Sequence, residues 1–457
     1  MKKSLEWSDE EMQDEFESFD EQSDLEQPEF DIPIKMDEIH TAEKVEEVIV
    51  EDIDDSILKD DPFLANDVGQ SELKVERMDV DDIDHAELFK EESDPKVVKQ
   101  RIHTLLTILE DYKHLKDTNF SRQEYIDQLM LSLQVFYGYN DFLLRKLWDM
   151  FPTFEILACI ESNDVQRPVT IRTNTLKIKR RELTKLLLKR GMQIRELPGE
   201  WTTVGLQIMK SKVPVGATPE YLNGYYMIQS ASSWLPVMAM AEHTNLEEKR
   251  ILDMCAAPGG KTTYLAQIMK NSGILFANDV NKLRCKAVAA MVSRMGVENC
   301  IVCNEDGREL DKKWINMFDG VLLDAPCSGT GVISKDPQVK HSKNENEIHL
   351  MSDLQKQLLL SAIDACKVGG IIVYSTCSIL IDENECVVNY ALRKRDVKIV
   401  PCEINVGKPG FVNFKQLKFN KTLQYTKRIY PHTHNMDGFF FAKIEKMSHK
   451  KNDEKRD

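Results

Sequence analysis

From about residue 225 onward, short apolar runs alternate with longer segments in which apolar residues recur every third and fourth position. The short runs predict strands at 251–253, 274–279, 299–304, 320–324, 370–375, 397–400 and 438–443. The longer segments predict helices, notably at 261–269, 282–295 and 354–366. Regular alternation of this kind predicts an α/β fold with a doubly wound, mostly parallel sheet. Upstream, 101–112, 125–136 and 143–160 carry helical periodicity, with Pro152 as an interruption. Between these regions, 169–174, 193–197 and 204–209 read as strands, and 180–190 as a basic helix closed by Gly191. No repeat of 20–50 residues is present.

Charge divides the chain further. Residues 1–94 hold 35 acidic and 8 basic side chains, a net of −27, whereas the remainder holds 41 and 52, a net of +11. The overall −16 therefore describes a basic body carrying an acidic tail. A basic surface neutralises phosphates and releases counterions, which suits nucleic acid. Apolar clusters in the acidic stretch are short, predicting a disordered tail over 1–93 that docks protein partners through pieces such as 48–53. A helical segment is expected over 94–165, a small α+β subdomain over 166–224, a Rossmann-like catalytic domain over 225–445, and a charged tail over 446–457. Lys177, Lys179, Arg180, Arg181, Lys185, Lys189 and Arg190 make the small subdomain resemble an RNA-binding platform, without aromatics on its central strands for stacking. Met1-Lys-Lys leads into Glu and Asp, so no signal peptide is expected, and no run approaches about 20 apolar residues. The ten cysteines are scattered, which predicts free thiols in a reducing compartment.

Three motifs sit where predicted strands end. The first is Asp253-Met-Cys255-Ala256-Ala257-Pro258-Gly259-Gly260-Lys261-Thr262, a glycine-rich strand-to-helix turn whose backbone N–H groups can approach a ligand closely. It lacks the glycine that a phosphate-binding P-loop needs at position 255, and the three spaced glycines of a dinucleotide fingerprint. A nucleoside ligand without pyrophosphate remains. Asp279 ends the next strand and is placed to hold ribose hydroxyls; Asp306 follows the third and is placed for an adenine amine. S-adenosyl-L-methionine fits this set. Such aspartates also cap helices, an alternative that three in register at Asp279, Asp306 and Asp324 disfavour.

The other two motifs bring thiols: Asp324-Ala-Pro-Cys327-Ser-Gly-Thr-Gly331 and Ser375-Thr-Cys377-Ser378. Strand ends of a parallel sheet share one crevice, so both cysteines are expected beside the cofactor turn. Cytosine C5 is a poor nucleophile, and a thiolate added at C6 activates it. With a free pKa of about 8.5, the attacking thiol needs help to ionise. Two small buried hydrophobes are the bland alternative for these cysteines.

Together these motifs resemble the RNA cytosine-5 methyltransferases of the Fmu/Sun type, from about Arg167 to Lys443. Stretches at 167–175, 214–221 and 430–439 look like the eukaryotic nucleolar branch that acts on large-subunit ribosomal RNA. The resemblance implies that Cys377, in the Thr-Cys dipeptide, is the nucleophile and that Cys327 assists product release. It also implies that Cys255–Lys261, Asp279, Asp306 and Asp324 contact S-adenosyl-L-methionine. Asp324 is a candidate to protonate or hydrogen-bond the cytosine ring. DNA cytosine-5 methyltransferases attack with a Pro-Cys thiol, which keeps Cys327 as competitor. The resemblance implies the nucleus and nucleolus as location; a monomeric catalytic unit is expected, and no membrane partner, since no apolar run is long enough to span one. The short acidic N-terminus departs from the longer Lys-rich extensions of that branch. A pre-ribosome assembly role with dispensable methylation, or a transfer-RNA substrate, are the alternatives. Cys300 and Cys303 have zinc-knuckle spacing without a second pair, so no metal is expected. His432 and His434 are candidates for RNA phosphate, and Arg284 for the cofactor or a carboxylate.

Overall fold

The computed structural model describes residues 84–90, 94–199 and 201–451. Residues 1–83, where most of the expected acidic tail and its docking pieces fall, lie outside the described residues. Helices α1 (Pro95–Glu110), α2 (Arg122–Tyr137), α3 (Asp141–Met150) and α4 (Thr153–Ser162) come first. Ser121 and Glu124 form a reciprocal capping box at the start of α2, and Gly138 at φ 72° ends it. The buried face of these helices, with Leu105, Leu129, Leu144 and Ile160, packs in one core with Ile379, Leu380 and Tyr430. The helical segment therefore buttresses the loop that follows Cys377.

A four-stranded antiparallel sheet follows: β1 (Val169–Thr173), β2 (Gln193–Arg195), β3 (Gly205–Lys210) and β4 (Tyr226–Ile228), in the order β2-β3-β1-β4. Helix α5 (Arg180–Lys189) covers one face, burying Leu183 and Leu187 against Ile171, Leu206 and Tyr226. The fourth strand falls beyond the expected division at 224, because β4 pairs with β1 and Ile171 sits opposite Ile228. Helix α6 (Leu235–Ala241) leads out of this unit.

The large sheet begins with β5 (Arg250–Asp253), β6 (Ile274–Asn278), β7 (Cys300–Cys303), β8 (Phe318–Asp324) and β9 (Cys366–Thr376). Helices α7 (Gly260–Ile268), α8 (Lys282–Met295) and α9 (Glu345–Ala365) lie between these strands in the chain, and α10 (Glu385–Lys394) follows β9. The five strands run parallel in the order β7-β6-β5-β8-β9, so the chain reverses its winding between β5 and β8. That switch opens a crevice at the carboxyl ends of the strands, where open α/β sheets bind ligands. The remaining strands are β10 (Arg395–Ile399), β11 (Lys408–Pro409), a hairpin of β12 (Asn413–Phe414) and β13 (Leu417–Lys418), β14 (Lys427–Ile429) and β15 (Phe439–Lys451). β15 runs antiparallel beside β9 and carries both β14 and β10 on its other edge.

Two expected tails are structured in part. Within 1–93, a helical turn at His85–Leu88 is anchored where Phe89 stacks on Phe120 at 4.2 Å and His85 meets the Tyr125 hydroxyl at 2.9 Å. Beyond 446, β15 continues to Lys451, since β10 pairs with it and buried Lys446 donates to Asn316 Oδ1 and Cys366 O.

Candidate active site

The glycine turn leaves β5 at Asp253 and enters α7 at Gly260. Gly259 adopts φ 106°, a left-handed conformation that a side chain would strain, and the Ala257–Pro258 bond is cis. Ala256 N–H donates to Asn278 O, and Ala257 N–H to Asp279 Oδ2 at 3.2 Å, so the turn is tied to the end of β6. Burial pushes the Cys255 thiol well above its ordinary range, which makes it a wall and not a nucleophile.

The three carboxylates expected in register do lie at successive strand ends, with different occupations. Asp279 is almost fully buried and accepts from Ala257 and Asn281 backbone N–H groups, with Arg284 3.9 Å away. Arg284 thus pairs with a carboxylate and reaches the turn at Ala257 O. Asp306 caps a short helix through Arg308 N–H and takes the Arg308 guanidinium on both oxygens. Burial opposes its ionisation, but those bonds hold its carboxyl below the usual range. Here the capping role disfavoured from sequence is what the geometry contains; a ligand amine would share Asp306 with Arg308. Asp324 ends β8 with Ser375 Oγ on one oxygen at 2.7 Å and Lys261 Nζ on the other at 2.6 Å. Lys261, expected at the cofactor, reaches across the crevice and also lies 5.3 Å from the Phe439 ring centroid.

Just beyond Asp324 and Thr376, the two thiols meet. Cys327 Sγ and Cys377 Sγ are 2.9 Å apart. The hydrogen bond to Cys377 and burial push the Cys327 thiol far up, with the charges of Cys377 and Glu383 adding to it. Either sulfur can donate in this contact. Two features force this approach. Gly331 N–H donates to Cys377 O and Gly331 O accepts from Gly438 N–H, a crossing in which any Cβ on Gly331 would fall 2.2 Å from Gly438 O. Glu383, fully buried, clamps both cysteine loops: it accepts from Ser328 N–H and Oγ, from Ser378 Oγ, and from Gln355 Nε2 at 3.0 Å.

Sequence reasoning missed Glu383, Ser328, Ser378 and Ser375. The available signal was the acidic run 382–385 directly after an apolar 379–381, where a carboxylate must be buried and satisfied. Other candidates resolve into structural roles. His432 Nε2–H donates to Glu155 Oε1 at 2.8 Å, and His434 Nδ1 accepts from Tyr430 N–H. Cys300 and Cys303 lie three apart on β7, so their side chains leave opposite faces. Of the basic set on the small sheet, Lys177 donates to Asn223 O and Arg294 O, while Arg180 and Arg190 pair with Glu196 and Glu220. Lys179, Arg181, Lys185 and Lys189 face solvent.

One cross-link joins the small sheet to the glycine turn. Arg172 on β1, fully buried, donates to Gly260 O at 2.7 Å, Thr263 Oγ1 at 2.8 Å and Gln229 Oε1 at 2.5 Å. Its guanidinium stacks on Tyr264, and burial lowers its pKa to about 9.

A doubly wound sheet with a ligand turn at its switch point and paired thiols over neighbouring strand ends defines the class as a Rossmann-like methyltransferase domain. A solved methyltransferase homolog protein from Pyrococcus horikoshii superposes with a TM-score of 0.63 at 34% identity, over 70% of this chain and 99% of that one. Residues 240–445 match the family described as 16S rRNA methyltransferase RsmB/F. The chain belongs to that family. It is 52% identical over 358 residues to the 25S rRNA (cytosine-C(5))-methyltransferase nop2 of Schizosaccharomyces pombe, covering 77% of this chain and 58% of that one. It is also 52% identical over 355 residues to the Homo sapiens 28S rRNA (cytosine(4447)-C(5))-methyltransferase, covering 77% and 43%. The chain spans about half the length of these curated relatives.

Proposed function

We propose that this chain is an S-adenosyl-L-methionine-dependent enzyme that forms 5-methylcytosine in RNA, with large-subunit ribosomal RNA as substrate, during ribosome biogenesis in the nucleolus. The observation that carries the reaction is the 2.9 Å thiol pair beside Asp324. The relatives' printed activities and the exposed Lys179, Arg181, Lys185 and Lys189 support the RNA substrate.

The turn Cys255–Lys261 with Asp279, Asp306 and Asp324 offers acceptors to a ligand rich in donors: a ribose diol, an exocyclic amine and an ammonium. Asp253 Oδ1, buried at the same strand end without a partner, adds another acceptor. S-adenosyl-L-methionine held there supplies the methyl group that cytosine C5 takes. Cys377, as the thiolate whose proton has gone to solvent, adds to C6 and makes C5 an enamine carbon. Asp324, oriented by Ser375 and Lys261, meets the ring edge and favours that addition. Water takes the C5 proton, and the electron pair released restores the aromatic ring and expels Cys377 as its thiolate. Cys327 Sγ, 2.9 Å from the departing sulfur, assists the departure by hydrogen bonding to it as the bond breaks.

With labelled methyl donor and RNA, Cys377→Ala gives neither product nor RNA–protein adduct. Cys327→Ala accumulates a denaturation-resistant adduct. The reverse pattern on a gel reassigns the two thiols, and bisulfite mapping identifies the RNA modified.

A further inference from the structure

A cavity of about 650 Å³ opens beside the thiol site, between the small sheet and the segment leading into β15. Its volume falls in the range of small-ligand pockets, roughly 300–1,000 Å³. Neither cysteine of the pair, nor Asp324, nor any residue of the glycine turn is among its lining residues. Trp201, Ile228 and Met436 provide apolar wall, and Arg195, exposed and bonded only to Gln207 among the described contacts, stands at the rim.

Asp437 is the informative lining residue. It is 2% exposed; Oδ2 pairs with Lys335, and Oδ1 is buried with no hydrogen-bond partner. A buried carboxylate oxygen without a donor is unfavourable, so it marks a place for an N–H or O–H from outside the protein. The register of β15 on β9 pairs Phe440 with Thr376, and the Gly438–Gly331–Cys377 backbone bonds extend that alignment. Asp437 thus lies beside the backbone that carries Cys377. A strand whose target base is turned into the thiol site leads its neighbouring nucleotide into this cavity.

We propose that the cavity seats a nucleotide flanking the target cytidine in the same RNA strand. Asp437 Oδ1 accepts a hydrogen bond from that nucleotide's base edge or its 2′-hydroxyl, and Arg195 meets a backbone phosphate. Single-stranded RNA is commonly read this way, with an unstacked base against an apolar wall and its edge hydrogen-bonded. The inference rests on the RNA reading of the thiol site and adds a sequence- or sugar-reading subsite to it.

The test uses the full 457-residue chain and the RNA segment it methylates. Each nucleotide within two of the target is replaced singly, in one arm by its 2′-deoxy form and in another by a base lacking its hydrogen-bond donor. One replacement should lower kcat/KM about 10- to 100-fold, as loss of a bond to a charged acceptor does. That penalty should disappear in Asp437→Ala, whose own kcat/KM on unaltered RNA falls by the same factor while its affinity for S-adenosyl-L-methionine stays within twofold. The arm that shows the penalty identifies base or sugar. No effect at any flanking position, a penalty that persists in the variant, or a matching loss of methyl-donor affinity each overturns the proposal. The wild-type arms decide the first of these even if the variant misfolds. A wild-type protein that methylates no RNA overturns the underlying reading as well, which separates the two failures.

Discussion

Asp253 sits at the end of β5 with the Thr262 hydroxyl on one oxygen and no partner for the other. Desolvation pushes its carboxyl up from 3.8 to about 7, Thr262 and Lys261 opposing that rise and Asp324 and Asp279 adding to it. In the unfolded chain the group ionises near its ordinary value; in the fold it holds its proton until about pH 7. Stability contributed by this side chain therefore falls as pH climbs from about 4 to about 7 and is level above that. Asp253→Asn removes the loss. Its stability relative to wild type should rise across this window by up to about 4 kcal/mol. Denaturant midpoints at pH 4.5 and 7.5 check it, and a gap that does not change with pH would refute it. The aspartate itself was visible in the sequence at a strand end; its depth was not, because burial depends on β6 and β8 closing over it from both sides.

Among elements, the crossing of the loop after β8 with the start of β15 sets the thiol geometry. Gly331→Ala inserts a methyl group against Gly438 O and Cys377 O, both closer than 3 Å to the new carbon. The loops must part, and a displacement near 1 Å between reacting groups costs on the order of 100-fold. Methyl transfer should fall by about that factor, with methyl-donor affinity little changed, as single-turnover kinetics and calorimetry would show. Equal losses in both would mean that the glycine serves the turn instead. Strands and motifs here were legible because apolar runs end in chemically distinctive residues: β5, β8 and β9 each stop within a residue or two of the expected point. Helix α9 was legible only from its second half, since its first turns from Glu345 are largely polar and show little apolar stripe. β11 and β14 are two and three residues long, too short for alternation to register; β14 exists because β15 offers it an edge, and β11 because β14 does.

At the scale of the whole molecule, the doubly wound sheet and the clustering of Cys327, Cys377 and Asp324 could be read in advance, since strand order at a switch point dictates which ends converge. What could not be read is what joins distant segments. The cavity draws residues from before β1, from β3 and β4, and from the stretches around 335, 406 and 436, with no local pattern among them. Arg172 likewise was only one position in the expected strand 169–174, yet it is buried and spans from β1 to α7. Arg172→Met strands Gln229 Oε1 and takes one donor from Gly260 O, and should lower stability by roughly 2–4 kcal/mol, measurable by denaturant titration.

That guanidinium has a thermodynamic corollary. Under the proposed function, the platform that would grip the transcript and the turn that would grip the methyl donor share one rigid strut, so ordering either end would preorganise the other. Each ligand should then tighten its counterpart by an identical factor, as linkage demands of any coupled pair of equilibria. In Arg172→Met the reciprocity should shrink toward unity, leaving two sites that fill independently.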